Sequence, residues 1–166
     1  MTSFEYQRDT REALGRFFDD VRVEWSVVRD ATDALAADEA RYAPRTDIAV
    51  GPFNTTPGPD RRLTAGLLPD RFKELFDDCQ QNPNPRCLLA IEVVFSGSSK
   101  HIMGDILNAS SLGLYGVIVG RDTQMPKIHR ILKYEKTLAQ LEKQPRLFRN
   151  VAVLSVDAFA AILQQT

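Results

Sequence analysis

The sequence predicts a single-domain α/β protein built on a mixed β-sheet flanked by helices. Three observations carry that expectation. From Cys87 onward, apolar strand-like runs alternate with amphipathic runs in the order strand, helix, strand, helix, strand, helix, the pattern of parallel strands joined by crossovers. Ahead of this block stand a helix pattern and one or two strand patterns that can pair as a meander. The 166 residues, 43% hydrophobic and 26% charged, suit one core, and no repeat or low-complexity linker divides them, so one domain over residues 1–166 is expected.

The elements follow in chain order. In "FEYQRDTREALGRFFDD", Ala13, Leu14, Phe17, Phe18 and Val21 recur at helical spacing with charge opposite. In "VRVEWSVVR", Val21, Val23, Trp25 and Val27 alternate with polar residues, a strand pattern into which the helix could also run. "DATDALAADEARYAPR" reads as a polar loop with a helical turn, closed by Pro44. "TDIAVGPF" is a short strand entering a Gly-Pro turn, and "NTTPGPDRRLTAGLLPD" is an irregular surface loop. "PDRFKELFDDCQ" forms a short helix with Pro69 at its start and Phe72, Leu75 and Phe76 on one side.

"CLLAIEVVF" is apolar on both faces, as in a central strand. Ser98 or Ser99 can cap the helix that follows. Its wheel gathers Ile102, Met103, Ile106, Leu107, Ala109 and Ser110 on one side, and Lys100, His101, Gly104, Asp105, Asn108 and Ser111 on the other. "LYGVIVG" is a second two-faced strand. In the long helix "MPKIHRILKYEKTLAQLEKQ", Ile128, Ile131, Leu132, Leu138 and Leu141 point to the core. "NVAVLSV" is the last strand, and "DAFAAILQQ" the last helix, capped by Asp157.

Composition excludes some classes. No apolar run approaches membrane-spanning length, and "MTSFEYQRDT" lacks the apolar core of a signal peptide, so a cytoplasmic protein with no membrane partner is expected. Cys79 and Cys87 form no zinc or disulfide pattern. Net charge is −1, but it is unevenly spread. Residues 1–40 hold five Arg against ten Asp/Glu, a net of −5, and residues 121–149 hold eight Lys/Arg against three Asp/Glu, a net of +5. The second segment is either a solvated helix surface or a face that grips phosphates.

Two acids stand in strand patterns. Glu92 lies between Ile91 and Val93 in a run that is otherwise apolar, where an ionised carboxylate is costly unless paired or metal-bound. Asp47 opens "DIAVGPF". If they meet across the sheet they form a hard oxygen site for Mg²⁺ or Mn²⁺. Otherwise Asp47 caps a strand and Glu92 pairs with an arginine. "SGSSK" then places a Ser/Gly turn and free N–H groups at a helix start, an anion site or merely a capped helix, and it lacks the Walker spacing. His101 and Asp105, four apart, suit a salt bridge or hydrogen bond, with a DNA-facing histidine as the second choice.

Taken together, residues 10–120 resemble the PD-(D/E)xK nuclease superfamily, which includes many restriction enzymes. The resemblance rests on a leading helix with an acid (Glu12), a strand acid in "RTDIAVGPF", a strand acid in "LLAIEVVF", the helix "KHIMGDILNASSLG" and the strand "LYGVIVG". It implies a restriction endonuclease-like fold and a Mg²⁺- or Mn²⁺-dependent endonuclease acting on DNA. Asp47 and Glu92 would be the metal ligands and Glu12 a helper. The family lysine, two positions after the second acid, is here Val94, and Lys100 at the helix start is the nearest replacement. Lys100, His101, Asn108, Lys127, Arg130 and Lys133 would contact nucleic acid. A duplex cutter needs two active sites or two events, so a homodimer is expected on symmetry grounds. The alternative is a catalytically inactive module of the same fold that binds DNA or a protein partner.

Overall fold

The computed structural model describes residues 1–27, 44–56 and 58–164. Most of the loop expected over residues 30–45 falls outside the described residues. One five-stranded sheet in the order β1-β2-β3-β4-β5 organises the chain. The strands are β1 (Val21–Ser26), β2 (Arg45–Phe53), β3 (Cys87–Val94), β4 (Gly113–Gly120) and β5 (Val151–Ser155). The first two pairings are antiparallel and the last two parallel, so the sheet is mixed, as expected. Each parallel pairing is made across a helix: α3 (Ser99–Leu112) between β3 and β4, and α4 (Met125–Gln140) between β4 and β5. α1 (Ser3–Leu14) precedes the sheet, α2 (Asp70–Lys73) continues into a 3₁₀ turn at Glu74–Phe76, and α5 (Val156–Gln164) ends the chain.

The sequence explains the layers. Every residue of β3 and β4 is buried, because both strands are covered on two faces. On one face Tyr6 and Leu14 of α1, Phe72 of α2, and Phe159 and Leu163 of α5 pack on Ile48, Leu89, Ile91 and Val117. On the other, Ile102 and Ile106 of α3 and Ile128 and Ile131 of α4 pack on Val94 and Ile118. Gly116 lets α3 approach closely, since a Cβ there would stand 2.9 Å from the Ala109 backbone.

Local rules set most boundaries. Thr2 and Glu5 form a reciprocal capping box that starts α1. That helix ends at Leu14, earlier than its apolar spacing suggests. Phe17 and Phe18 lie in the following turn and still pack edge-on against Phe72, at ring-centre distances of 5.7 and 5.0 Å. The run from Val21 is strand, not continued helix.

Three expectations are corrected. Leu141 is 61% exposed, because α4 stops at Gln140 and leaves it beyond the packed face. Leu107, placed on the apolar side of α3, is also exposed: it lies at the margin of the stripe that Ile102, Ile106 and Ala109 bury. The last helix begins one residue before Asp157, and the Ser155 hydroxyl accepts from the Ala158 N–H at 3.2 Å in the capping role. Among the described residues no helix is long and apolar enough to cross a membrane.

Candidate functional site

The antiparallel register joins the two strand acids. Ile48 stands opposite Ile91 and Ala49 opposite Ala90, so one further step sets Asp47 opposite Glu92. Directly opposed residues of such a pair have Cβ atoms about 4.5–5.5 Å apart. The β1 register likewise brings Glu24 opposite Asp47. Glu24 has a left-handed backbone (φ 49°), uncommon for a non-glycine residue, and its carboxylate pairs with Arg45 at 3.3 Å.

Asp47 is tied down where the β2–β3 ladder ends. Its Oδ2 accepts from the Val93 N–H at 2.8 Å. The neighbouring Thr46 hydroxyl donates to the Ile91 carbonyl at 3.0 Å. Glu92 is only 4% exposed, and its Oε1 has no hydrogen-bond partner. A buried oxygen acceptor without a donor is rare and needs a reason.

The electrostatics are those of crowded carboxyls. Burial, then the charges of Asp47 and Asp105, push Glu92 up to about 10. Burial, then Asp47, push Asp105 up to about 6, while His101 pulls it down. Burial also raises Asp47; the Val93 amide opposes the rise and Glu24 adds to it. Like charges gathered out of water favour protonation unless a cation joins them. Among the described residues no arginine or lysine forms an ion pair with Glu92, and the charges that act on it are those of Asp47 and Asp105.

The other predicted residues divide. Lys100 and His101 are exposed in the first turn of α3, behind the Ser98 cap that accepts from the His101 N–H at 3.4 Å. Gly97, with φ 143°, makes the turn between β3 and that cap in a conformation side chains disfavour. Lys127 does not project freely: its Nζ donates to the Gly97 carbonyl at 2.8 Å and so fastens α4 to this turn. Asn108 is half-buried, and Arg130 and Lys133 are exposed on α4. Val94 is 1% exposed and packs with Ile102, Ile106 and Ile118, so the position two after Glu92 belongs to the core.

Glu12 lies on the exposed side of α1. The residue of that helix that bears on Asp47 is Gln7, buried on the inward side, which pulls the Asp47 carboxyl down against the rise that burial gives it. Sequence reasoning missed Gln7, although carrying the Leu14 stripe back by helical turns leads to Thr10 and then Gln7, two polar residues on the buried face. It also assigned Asp105 to His101 alone. Among the described residues no hydrogen bond or ion pair joins those two: the His101 Nδ1 lies 3.3 Å from the Ser98 hydroxyl, and Asp105 feels the charge of Asp47 as well as that of His101, which helix spacing alone could not show.

A divalent cation fits this donor set. Mg²⁺ is typically held by one or two carboxylates, with waters or substrate oxygens completing its shell. Asp47 and Glu92 provide the two, and the unpartnered Glu92 Oε1 supplies a free lone pair. Among the described residues no group of three or more His, Cys, Asp or Glu side chains is arranged to hold a metal ion. Comparison with family models, curated proteins and solved structures returned no match to this chain.

Proposed function

We propose that the protein is a divalent-metal-dependent endonuclease of the restriction endonuclease-like fold, cleaving phosphodiester bonds in DNA in the cytoplasm. The observation that carries the reading is the opposed pair Asp47 and Glu92, buried together with an unpartnered carboxylate oxygen. The element order supports it too, since a leading helix, the two strands that carry the acids, the helix α3 and the strand β4 follow one another in the order on which the resemblance rests.

Asp47 and Glu92 would hold Mg²⁺ or Mn²⁺. Such an ion polarises the phosphodiester and lowers the pKa of an attacking water. The residues do the rest. The Val93 amide fixes the Asp47 carboxyl. The buried strand register keeps both acids from drifting apart. The first turn of α3 presents Lys100 beside free N–H groups, where positive charge steadies a phosphate. Arg130 and Lys133 grip the phosphate backbone further along, and a homodimer would bring two such sites to a duplex.

The test is cleavage of supercoiled and linear DNA with Mg²⁺ or Mn²⁺ by the wild type, Asp47→Ala and Glu92→Ala. Ion-dependent cleavage that both variants lose supports the enzyme. Retained DNA binding without cleavage of any substrate supports the second reading, an inactive DNA-binding module. The core position of Val94 favours that second reading, because the family lysine has no room there.

A further inference from the structure

We infer that Arg45, held by Glu24 at the rim of the Asp47–Glu92 pair, is a cation that meets the scissile phosphate. This rests on the endonuclease reading above and adds to it a residue that approaches from the β1–β2 side of the site.

Strand geometry places it. Arg45 and Asp47 are two positions apart in β2, so their side chains project from the same face of the sheet. Two strand steps put their Cα atoms about 6.6–6.8 Å apart, within the span of one long side chain. Glu24 stands opposite Asp47 in the neighbouring strand. Arg45 reaches across to it, and its Nη1 donates to Glu24 Oε2 at 3.3 Å. The guanidinium is thus anchored to the residue next to Asp47. Exposure falls along the row: Arg45 is exposed, Asp47 half-buried and Glu92 4% exposed. A phosphate must reach an ion on the two acids from the solvent side, and on β2 that side is Arg45.

Stability gives little reason for the Arg45–Glu24 pair. Its side chains are 54% and 39% exposed, and ion pairs in such surroundings contribute little. Ligand chemistry gives a better one. A guanidinium carries five N–H donors in a planar fork that matches two oxygens of a phosphate. Nη1 serves Glu24, and the edge formed by Nε and Nη2 can serve the phosphate. Among the described residues Arg45 forms an ion pair with Glu24 and with neither acid of the central pair, so both keep their oxygens for the ion. In the cleavage step water adds to phosphorus and one P–O ester bond breaks. One proton of that water ends on the leaving oxygen and the other on the new phosphomonoester or in solvent. Negative charge builds on the non-bridging oxygens meanwhile, and a fixed cation beside them lowers the barrier.

The test compares the wild type, Arg45→Met, Arg45→Lys and Asp47→Ala. Three quantities are measured: the single-turnover rate of supercoiled DNA cleavage with Mg²⁺, Mn²⁺ affinity by titration calorimetry, and the melting temperature. Arg45→Met should cleave about a hundredfold more slowly, the loss typical of one donor to a developing charge. It should melt as the wild type does and bind Mn²⁺ at least as tightly, because a cation next to the ion has been removed. Arg45→Lys keeps the charge without the fork and should recover part of the rate. If Arg45→Met cleaves like the wild type while Asp47→Ala does not, the inference fails and the endonuclease reading stands. If Arg45→Met and Arg45→Lys lose activity equally, with a lowered melting temperature or weakened Mn²⁺ binding, Arg45 is a structural residue and the inference fails. If the wild type cleaves no DNA, the inference and the endonuclease reading fall together.

Discussion

Glu92 is the residue on which the physical account depends. Without a cation its folded pKa is raised to about 10 by burial and by Asp47 and Asp105. A carboxyl raised on folding stabilises the fold below its unfolded pKa and loses that contribution as pH climbs toward the folded value. Asp105, raised to about 6, contributes in the same direction over the narrower window from about 4 to 6. The ion-free protein should therefore lose stability from pH 5 to pH 9, and Glu92→Gln should flatten most of that loss. Urea midpoints across this range decide it; an equally steep loss in Glu92→Gln would contradict the assignment. A second residue-scale expectation concerns Val94. Val94→Lys would bury an ammonium among Ile102, Ile106 and Ile118, so a destabilisation of about 3 kcal/mol or more is expected, with no gain in cleavage. Activity restored by Val94→Lys would show that the core can open to admit the missing lysine. At this scale the sequence exposed Asp47 and Glu92 because charge inside an apolar run is visible without a structure. Gln7 stayed hidden because an uncharged side chain on a mostly polar helix gives no such contrast.

At the scale of elements, the turn from β3 into α3 positions everything that follows the acid pair. Gly97 at φ 143° shapes the turn, Ser98 caps the helix, and Lys127 closes over the Gly97 carbonyl. Gly97→Ala should cost about 1–2 kcal/mol because a Cβ is disfavoured in that conformation. In a chain of this size each kcal/mol lowers the melting temperature by roughly 2–4 °C. Thermal melts check this, and an unchanged melting temperature would mean that the turn relaxes to another backbone shape. Strand periods and caps made most elements legible in the sequence. The limits were set by partners distant along the chain. Glu135 looks like a surface acid of α4, yet it is buried because its Oε1 accepts from the Leu147 N–H at 2.6 Å, twelve residues on. The capping of α5 by Ser155 was likewise misread, because Asp157 is an equally good capping type one step inside the helix.

At the scale of the whole molecule, alternating strand and helix patterns were enough to announce a mixed α/β sheet. Strand order and register were not, although they decide which residues meet. That two acids forty-five positions apart stand opposite each other follows from the β2–β3 pairing alone. The charge asymmetry of the chain acquires a location as well, since Arg130 and Lys133 are exposed on α4. If that helix grips DNA, Arg130→Glu with Lys133→Glu should weaken duplex binding by about tenfold or more and reduce its salt dependence, while Mn²⁺ affinity is unchanged. Fluorescence anisotropy at two salt concentrations separates this from a solvated helix face, for which the double variant would bind DNA as the wild type does.

The central claim is that Asp47 and Glu92 share a divalent ion, and anomalous diffraction from a crystal soaked in Mn²⁺ tests it most directly. The account predicts a peak with carboxylate oxygens of both residues about 2.1–2.2 Å away, near the contact length of hard divalent ions. A fully soaked crystal with no ion between the two acids, or with its ions bound only elsewhere, would contradict it.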